Sequence, residues 1–390
     1  MGIYLDNQAT TPMSDEVKAV YLEALGTIGN PSAVHQAGQR ARAQVEDARA
    51  RVATALGCDT VEVIFTSGGT EAINQALKGA VWAKKRSEGR DAITRVVTTG
   101  AEHNATLDAL GWLAEQEGTD IVYAALTSEA VIDLVHLESI LESQEVTMVS
   151  SLLANNEVGS IQPVEALCAL AREHKTPVHI DAVAACGYLP IDFSALGASA
   201  MSVSAHKVGG PVGVGALLLS RTAPEIQALH HGGEQQRGRS GTIDMAGAVA
   251  FAAALEIQER NRLTQVDHLR QMRDYLLEGL TTACPQVIVR GSLDERLPGN
   301  AHLTVPGCEG DVLLYLFDQH EIHVSTGSAC QAGVPEASHV LIAMGVGASE
   351  ARGALRFSMG YSVTKSDLDA VIRAFPSVVE KASSAGLAAG

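Results

Sequence analysis

The feature that most constrains the fold of this chain is the alternation of short strand-like runs with helix-like segments. Stretches such as residues 71–86, 105–116 and 163–174 carry apolar residues at helical spacing. Seven runs rich in β-branched residues occupy 61–65, 93–99, 120–126, 146–153, 177–181, 200–204 and 213–219. Because strands separated by helices form βαβ units, the sequence predicts an α/β fold with a mostly parallel seven-stranded sheet.

The C-terminal part of the chain has a different pattern, which predicts a second, smaller α+β domain. An apolar-periodic stretch from about Ile243 to about Cys284 is expected to form helices that leave the first domain. A strand-like run at 300–306, a helix-like run at 311–319 and a final helix from about Lys365 follow. This mixture of elements is typical of an α+β domain.

These patterns suggest how the 390 residues divide into domains. A chain of this length is too long for one small core and suits a large and a smaller domain. We predict a large domain over 12–258 and a small domain built from 1–11 together with 259–390. The tail, 381–390, is expected to be frayed.

Composition argues against several classes of function. The net charge of −17 makes a direct nucleic-acid partner a poor expectation, because phosphate binding needs a basic face. No apolar stretch approaches the roughly 20 residues that span a bilayer, and the start carries no secretory leader, so we expect a cytoplasmic protein without a membrane partner. The six cysteines form no CxxC pair, which argues against a metal site and a disulfide framework.

A glycine-rich segment, TSGGTEA at 66–72, follows the first predicted strand and opens a helix. Glycines let backbone N–H groups face outward, and a helix N-terminus adds partial positive charge, so the segment can bind an anion. Thr70 would add a hydroxyl donor. Taken alone, such a segment is more often only a turn.

Four further polar groups follow other predicted strands. His103 could be a satisfied surface or core residue, and the pair Asn155–Asn156 could either cap a turn or present amides to a ligand. Asp181 could be a helix N-cap, and Lys207 could lie on the surface. Their positions agree, however, because ligands of open α/β sheets bind beyond the carboxyl ends of the strands.

This set of groups is what pyridoxal phosphate requires. Lys207 would form an imine with the cofactor aldehyde, and Asp181 would keep the pyridine nitrogen protonated so that the ring accepts electrons. An imidazole such as that of His103 can cover the ring. Ser204 and His206, just before the lysine in SAHK, would point at the phosphate.

Three features lie in the second half of the chain. The segment RSGT at 239–242 offers another phosphate contact. Arg356 stands between apolar residues, where it could hold either a structural carboxylate or a substrate carboxylate. Cys330 lies in STGSACQAGVP, a run of small residues that predicts an exposed loop. An exposed thiol in a cytoplasmic protein favours chemistry or group transfer over an inert role.

Taken together, these segments resemble the cysteine desulfurases, pyridoxal-phosphate enzymes of the aspartate-aminotransferase fold type (fold type I). The resemblance covers nearly the whole length, from YLDNQATTP at 4–12 to LRFSMG at 355–360. Between these lie GNPSAVH, FTSGGTEA, AEHNA, NNEVG, HIDAV, SAHKVGGPVGVGAL, RSGT and STGSAC. The segment around Cys330 resembles that of the class with a long cysteine loop, which commonly supplies sulfur for iron–sulfur clusters and tRNA thiolation.

The resemblance implies a role for each matching residue. Lys207 bonds to the cofactor and moves protons, His103 stacks on the ring and assists acid–base steps, and Cys330 attacks the substrate sulfur to become a persulfide. Asn30 and Arg356 hold the substrate carboxylate. The implied cofactor-binding set is Gly69, Thr70, His103, Asn156, Asp181, Ser204, His206, Lys207 and Thr242, the last from the partner subunit of a homodimer.

The implied activity converts L-cysteine to L-alanine and passes sulfur from Cys330 to an acceptor, such as an iron–sulfur scaffold or a tRNA-thiolating enzyme. A selenocysteine lyase or an aminotransferase of the same fold is an alternative. A non-catalytic cofactor-binding partner in sulfur trafficking is another.

Two departures from the family pattern bear on the rate. Ala184 stands in DAVA where the family usually has a glutamine that donates to the cofactor's phenolic oxygen, so turnover is expected to be slower. The stretch before RSGT is one residue short, which makes the role of Thr242 less secure.

Overall fold

The computed structural model describes residues 2–233, 238–327 and 337–387. Its strands are β1 Ile3–Tyr4, β2 Val63–Thr66, β3 Arg95–Thr98, β4 Asp120–Tyr123, β5 Met148–Leu152, β6 Val178–Asp181, β7 Ala200–Ser204, β8 Gly215–Leu219, β9 Ile288–Val289, β10 Asn300–Thr304, β11 Ile322–His323 and β12 Ala354–Ser358. Its helices are α1 Asp15–Leu25, α2 Gln36–Leu56, α3 Gly69–Glu88, α4 Asn104–Glu117, α5 Leu134–Ser143, α6 Val164–Glu173, α7 Phe193–Leu196, α8 Met245–Ala283, α9 Gly310–Asp318, α10 His339–Ala343, α11 Ala348–Ala351 and α12 Lys365–Leu387.

The large sheet has seven strands in the order β2-β8-β7-β6-β5-β3-β4, so the predicted α/β fold is confirmed. All its pairs are parallel except those of β8, which runs antiparallel to both β2 and β7. Each predicted run overlaps one strand, and β2 extends one residue past its run, to Thr66. The first is shorter than expected because a 3-10 turn at Thr60–Glu62 precedes β2, closed by the Glu62 carboxylate, which accepts from the Asp59 N–H.

The parallel strands bring their carboxyl ends to one edge of this sheet. Every residue of β5, β6 and β7 is buried, as expected for strands with helices on both faces. In the register of β5 with β6, Leu152 lies opposite Asp181, and in that of β6 with β7, Asp181 lies opposite Ser202. The polar residues that follow these strands therefore converge.

The stretch after the large sheet is one helix, α8, rather than the several helices expected from the sequence. It contains 39 residues and no proline, so at 1.5 Å per residue it is about 58 Å long. Its first half is rich in alanine, and Ala248, Ala250 and Ala252 are fully buried. Nothing in its interior interrupts the helical hydrogen bonds, and it therefore continues through the boundary predicted at residue 258.

Two small sheets lie outside the large one. One is antiparallel, in the order β12-β10-β9, and the other pairs β1 in parallel with β11. The N-terminal strand thus returns to the C-terminal part of the chain, as the predicted small domain requires, although the domain boundaries stay a prediction. Helix α12 extends to Leu387, so most of the tail that was expected to fray is helical. Among the described residues, no helix has both the length and the apolar character to cross a membrane.

Candidate active site

A cavity of about 300 Å³ opens at the carboxyl edge of the large sheet. Strand ends and helix starts surround it, because each βα connection crosses this edge. Nine of the predicted site residues line it: Gly69, Thr70, His103, Asn156, Asp181, Ser204, His206, Lys207 and Arg356. The structure therefore brings together side chains that are spread over almost three hundred positions of the sequence.

Lys207 ends a 3-10 turn, Ala205–Lys207, that directly follows β7. Its amine donates to the backbone carbonyl of Gln8 and, at 3.2 Å, to that of Ala9. The Thr11 hydroxyl donates to the Lys207 carbonyl at 2.9 Å. The N-terminal segment thus fixes this lysine from both its backbone and its side chain, an interaction that sequence reasoning missed.

The surroundings of Lys207 make its amine easier to deprotonate. Burial lowers its pKa to about 8, and the nearby Arg356 charge adds to this effect. The carboxylates of Asp181 and Asp6 act in the opposite direction. A substantial fraction of the amine is therefore neutral near pH 8, the form that acts as a nucleophile or base.

Asp181 is the last residue of β6 and is only 2% exposed. Burial raises its pKa to about 6, although the Val183 N–H and the Lys207 charge favour the ionised form. The Val183 N–H donates to Asp181 Oδ1 at 2.9 Å. At neutral pH the site therefore contains a carboxylate that is ionised, lies at a strand end and lines the cavity.

His103 is the N-cap of α4, and its Nδ1 accepts from the Ala105 N–H at 3.0 Å. This contact assigns the ring proton to Nε2 when the imidazole is neutral. Partial burial, together with the charges of Lys207 and His339, lowers the pKa of His103 to about 4. The ring is consequently neutral at physiological pH.

The N-terminus of α3 forms one wall of the cavity. Gly68 has φ +147°, and a Cβ on Gly69 would lie 2.7 Å from Cγ2 of Val183, so the close approach requires glycine. Gly69 and Thr70 lie in the first turn, whose N–H groups have no intrahelical acceptor. With Ser204 and His206 nearby, this wall suits a phosphate-sized anion.

Arg356, in β12, is 4% exposed and is already paired with a structural carboxylate. Its guanidinium donates to Asp6 Oδ1 and to the Asn156 carbonyl, both at 2.8 Å. Among the described residues, neither Nε of Arg356 nor Oδ1 of Asn156 has a hydrogen-bond partner, although both atoms are buried. A donor and an acceptor thus remain available beside the cavity.

Glu102 is a second residue that sequence reasoning missed, although it precedes His103 in the quoted AEHN segment. It is 1% exposed, and its Oε1 accepts from the Thr99 hydroxyl at 2.7 Å. Burial raises its pKa to about 8. The hydrogen bond from the Thr99 hydroxyl lowers the pKa, and the negative charge of Asp181 raises it further. A buried carboxylate beside a strand end leaves no periodic signal in the sequence that distinguishes it from a surface residue.

The buried carboxyl group of Glu102 should make the stability of the protein depend on pH. Because the folded-state pKa of Glu102 lies above its ordinary value of 4.5, its contribution to stability is complete below that value and is lost as the pH rises towards 8. Glu102→Gln keeps the shape without the charge. We expect the fall in Tm between about pH 5 and pH 8 to be smaller in this variant than in the wild type.

Thermal melts followed by circular dichroism across this pH range would measure the difference. Glu165→Gln, on an exposed position of α6, is the control and should follow the wild-type curve. Parallel curves for Glu102→Gln and the wild type would show that Glu102 does not carry a buried charge at high pH.

Two of the predicted residues that the structure describes, Asn30 and Thr242, are not among those that line the cavity. Asn30 is exposed, and its Oδ1 accepts from the Ser32 N–H at 2.8 Å. Thr242 is exposed and lines a separate depression with Arg239, which is ion-paired to Glu71 in the first turn of α3 at 2.9 Å. Cys330 lies outside the described residues. Their predicted roles stay predictions.

Comparison with known proteins identifies the family. The sequence matches the family described as aminotransferase class-V over residues 3–371. An IscS-like cysteine desulfurase from Mycobacterium tuberculosis is 45% identical over 388 residues, which cover 99% of this chain and 98% of that protein. The chain belongs to the aminotransferase class-V family and, within it, to the cysteine desulfurases. The resemblance seen in the motifs is thereby confirmed.

Solved structures agree with this assignment to the cysteine desulfurases. A NifS-like protein matches with a TM-score of 0.88 and 33% identity, over 98% of this chain and 100% of that chain. A structure described as SspA in complex with cysteine matches with a TM-score of 0.77 and 28% identity, over 92% of this chain and 98% of that one. The predicted α/β fold of a pyridoxal-phosphate-dependent transferase of fold type I is therefore confirmed.

Proposed function

We propose that this chain is an L-cysteine desulfurase that uses pyridoxal phosphate, yields L-alanine, and transfers the sulfur as a persulfide on Cys330. The observation that carries the proposal is the Lys207 amine, with its lowered pKa, in a cavity that also contains Asp181 and His103. The family membership and the solved structure described as SspA in complex with cysteine support the choice of substrate.

The residues of the cavity fit pyridoxal phosphate. The first turn of α3, where a side chain at Gly69 would collide with Val183, suits the phosphate. Lys207 would hold the aldehyde carbon, and the Asp181 carboxylate would pair with the protonated pyridine nitrogen. The free Oδ1 of Asn156 is a further acceptor for the ring substituents.

When bound, pyridoxal phosphate supplies an electron sink that makes the α-proton of an attached amino acid acidic. The Asp181 carboxylate, ionised at neutral pH, would keep the pyridine nitrogen protonated so that the ring accepts electrons. Lys207 accepts the α-proton and returns it, since an amine of pKa about 8 exchanges protons readily near physiological pH. His103, neutral with Nε2–H, would cover the ring face and donate a hydrogen bond.

Sulfur transfer is assigned to the Cys330 thiolate. Its Sγ attacks the Sγ of the substrate, so an S–S bond forms as the substrate Cβ–S bond breaks. The bonding electrons remain with Cβ, which takes up a proton to become the methyl group of alanine. Cys330 leaves the step as a persulfide, and the second sulfur atom is then available to an acceptor.

The assembly and location belong to the same proposal. We propose a homodimer, in which the exposed Thr242 of one subunit completes the phosphate site of the other. The acceptor would be an iron–sulfur scaffold or a tRNA-thiolating enzyme. Within the described part of the chain, Cys58, Cys168, Cys186, Cys284 and Cys308 are all free thiols, which supports a reducing compartment such as the cytoplasm.

Ala184 is the residue that favours the alternative of a non-catalytic cofactor-binding protein. It lines the cavity and presents only a methyl group where a hydrogen-bond donor is expected from the family pattern. A slow desulfurase and a cofactor-binding partner in sulfur trafficking would both tolerate that loss. They differ in whether alanine is formed.

The direct test supplies purified protein with pyridoxal phosphate, L-cysteine and a thiol reductant. A desulfurase forms alanine and sulfide in equal amounts. An aminotransferase would instead form a keto acid, and a binding protein would form none of these products. A parallel assay with selenocysteine separates a selenocysteine lyase, which would act on that substrate in strong preference to cysteine.

A further inference from the structure

We propose that Glu157 is a positioning residue that holds both ends of segment 328–336, the segment that contains Cys330. The inference rests on the proposed function, because it concerns the thiol assigned to sulfur transfer. Glu157 does not line the cavity, and nothing in the reaction itself requires a carboxylate at this place.

The backbone of Glu157 is fixed on both sides by asparagine side chains. It lies in the turn ANNEVG that follows β5, and its side chain is only 1% exposed. Its N–H donates to Asn155 Oδ1 at 2.8 Å. Its carbonyl accepts from Asn300 Nδ2, in β10, also at 2.8 Å. The carboxyl group is therefore presented from a rigid support.

The C-terminal end of the segment contacts Glu157 through Ser338. The Ser338 hydroxyl donates to Glu157 Oε2 at 2.5 Å, and both side chains are buried. The same hydroxyl accepts from the Leu341 N–H at 3.2 Å, as the N-cap of α10. Glu157 thus fixes the N-cap of α10, the helix that follows segment 328–336 in the sequence.

The N-terminal end passes beside the same carboxyl group. A Cβ on Gly327 would lie 3.2 Å from Glu157 Oε2, so the chain at Gly327 lies next to this side chain. Gly327 has φ +89° and lines the active-site cavity. Just before it, Ser325 exchanges backbone hydrogen bonds with Arg356. The Glu157 carboxyl group therefore lies beside Gly327, which directly precedes the segment, and accepts from Ser338, two residues after its end.

The environment of Glu157 indicates which replacement should preserve its role. Burial raises its pKa, while the Ser338 hydroxyl and the charges of His339 and Arg356 act in the opposite direction. A group buried to this degree is well mimicked by an uncharged amide of the same shape. Glutamine can still accept the Ser338 hydrogen bond, whereas alanine cannot.

Sulfur transfer should be sensitive to this support because the thiol must reach the substrate sulfur at bonding distance. A displacement of about 1 Å in a reacting group can cost roughly 10²-fold in rate. Cofactor binding and substrate binding use other residues and should not change. The expected signature is a fall in kcat without a rise in KM for cysteine.

The experiment compares Glu157→Ala, Glu157→Gln and Ser338→Ala with Glu62→Ala in the holoenzyme. Glu62 is the matched control, because it is buried and accepts hydrogen bonds from Asp59 and Arg221 far from the cavity. We expect roughly 10²-fold lower kcat for alanine formation in Glu157→Ala, an unchanged cofactor absorbance, and most of the activity restored in Glu157→Gln. Glu62→Ala should lower only Tm.

Two outcomes would overturn the proposal. One is a kcat of Glu157→Ala no lower than that of Glu62→Ala, and the other is a KM that rises as much as kcat falls. Should Glu157→Ala fail to fold, Ser338→Ala replaces it as the test. A wild-type kcat in Ser338→Ala would also contradict the proposal. The double variant Glu157→Gln/Ser338→Ala should have the same kcat as the single variant Ser338→Ala.

A second readout separates this proposal from the proposed function. The rate at which iodoacetamide alkylates Cys330 depends on the conformations of its segment and not on turnover. Releasing the two ends should make Cys330 react faster in Glu157→Ala than in Glu62→Ala or Glu157→Gln. Absence of alanine in the wild type contradicts the desulfurase proposal, whereas equal alkylation rates in all variants contradict the role of Glu157.

Discussion

Replacing Lys207 with alanine is expected to lower kcat/KM for alanine formation by roughly 10³-fold or more. The amine is the group that would hold the cofactor covalently and move the α-proton, and no second lysine is found among the described residues that line the cavity. Loss of both roles in one substitution explains the size of the effect. Alanine quantified by chromatography over a range of cysteine concentrations measures it.

Lys207→Arg separates the chemistry of the amine from its charge. Arginine keeps a positive charge near the carbonyls of Gln8 and Ala9 but cannot bond to an aldehyde, so it should be as inactive as alanine. Borohydride reduction followed by mass spectrometry should attach the cofactor to the wild type and to neither variant. More than a tenth of wild-type kcat/KM in either variant would contradict the assignment.

The second large effect is expected for Cys330→Ser. Removing the nucleophile should reduce sulfide and persulfide formation by roughly 10³-fold or more, while the bound cofactor keeps its absorbance. The hydroxyl of serine is a far weaker nucleophile towards sulfur than a thiolate is. Sulfide release and persulfide labelling at residue 330 are the two measurements.

Cys58→Ala provides the matched control for this variant. Burial raises the pKa of the Cys58 thiol to about 12, and the charges of Glu62 and Asp59 add to the effect. Such a thiol is protonated at physiological pH and should contribute nothing to turnover. Full activity in Cys330→Ser would favour the aminotransferase alternative, which needs no thiol.

Much of the fold could be predicted because its signals are local. Each run of β-branched residues became a strand of the large sheet, and a residue at the end of a parallel strand has only one edge on which to lie. Asp181 and Lys207, which this reasoning placed at that edge, both line the cavity, and their roles stay predictions. The single long helix α8 was missed because periodicity shows that residues are helical but not where one helix ends.

The contacts that tune the site could not be predicted. Glu102 lies beside Asp181, yet only the packing of the strands around it shows that its carboxyl group is buried. The proximity of Glu157 to Gly327 and Ser338 joins three separate segments of the chain. The pattern of residues along one sequence does not show which distant residues come into contact.

The sequence by itself determined the seven-strand architecture, the chemical types of the groups at the strand ends, and the family resemblance. Each of these depends on short, continuous stretches of residues. Only the tertiary structure decided the pKa of Lys207, the ion pair of Arg356 with Asp6, and the support given by Glu157. The Lys207 amine meets the carbonyl of Gln8 across 199 positions of sequence. Desolvation and Coulomb interaction depend on distance in space, so these properties exist only once the chain has folded.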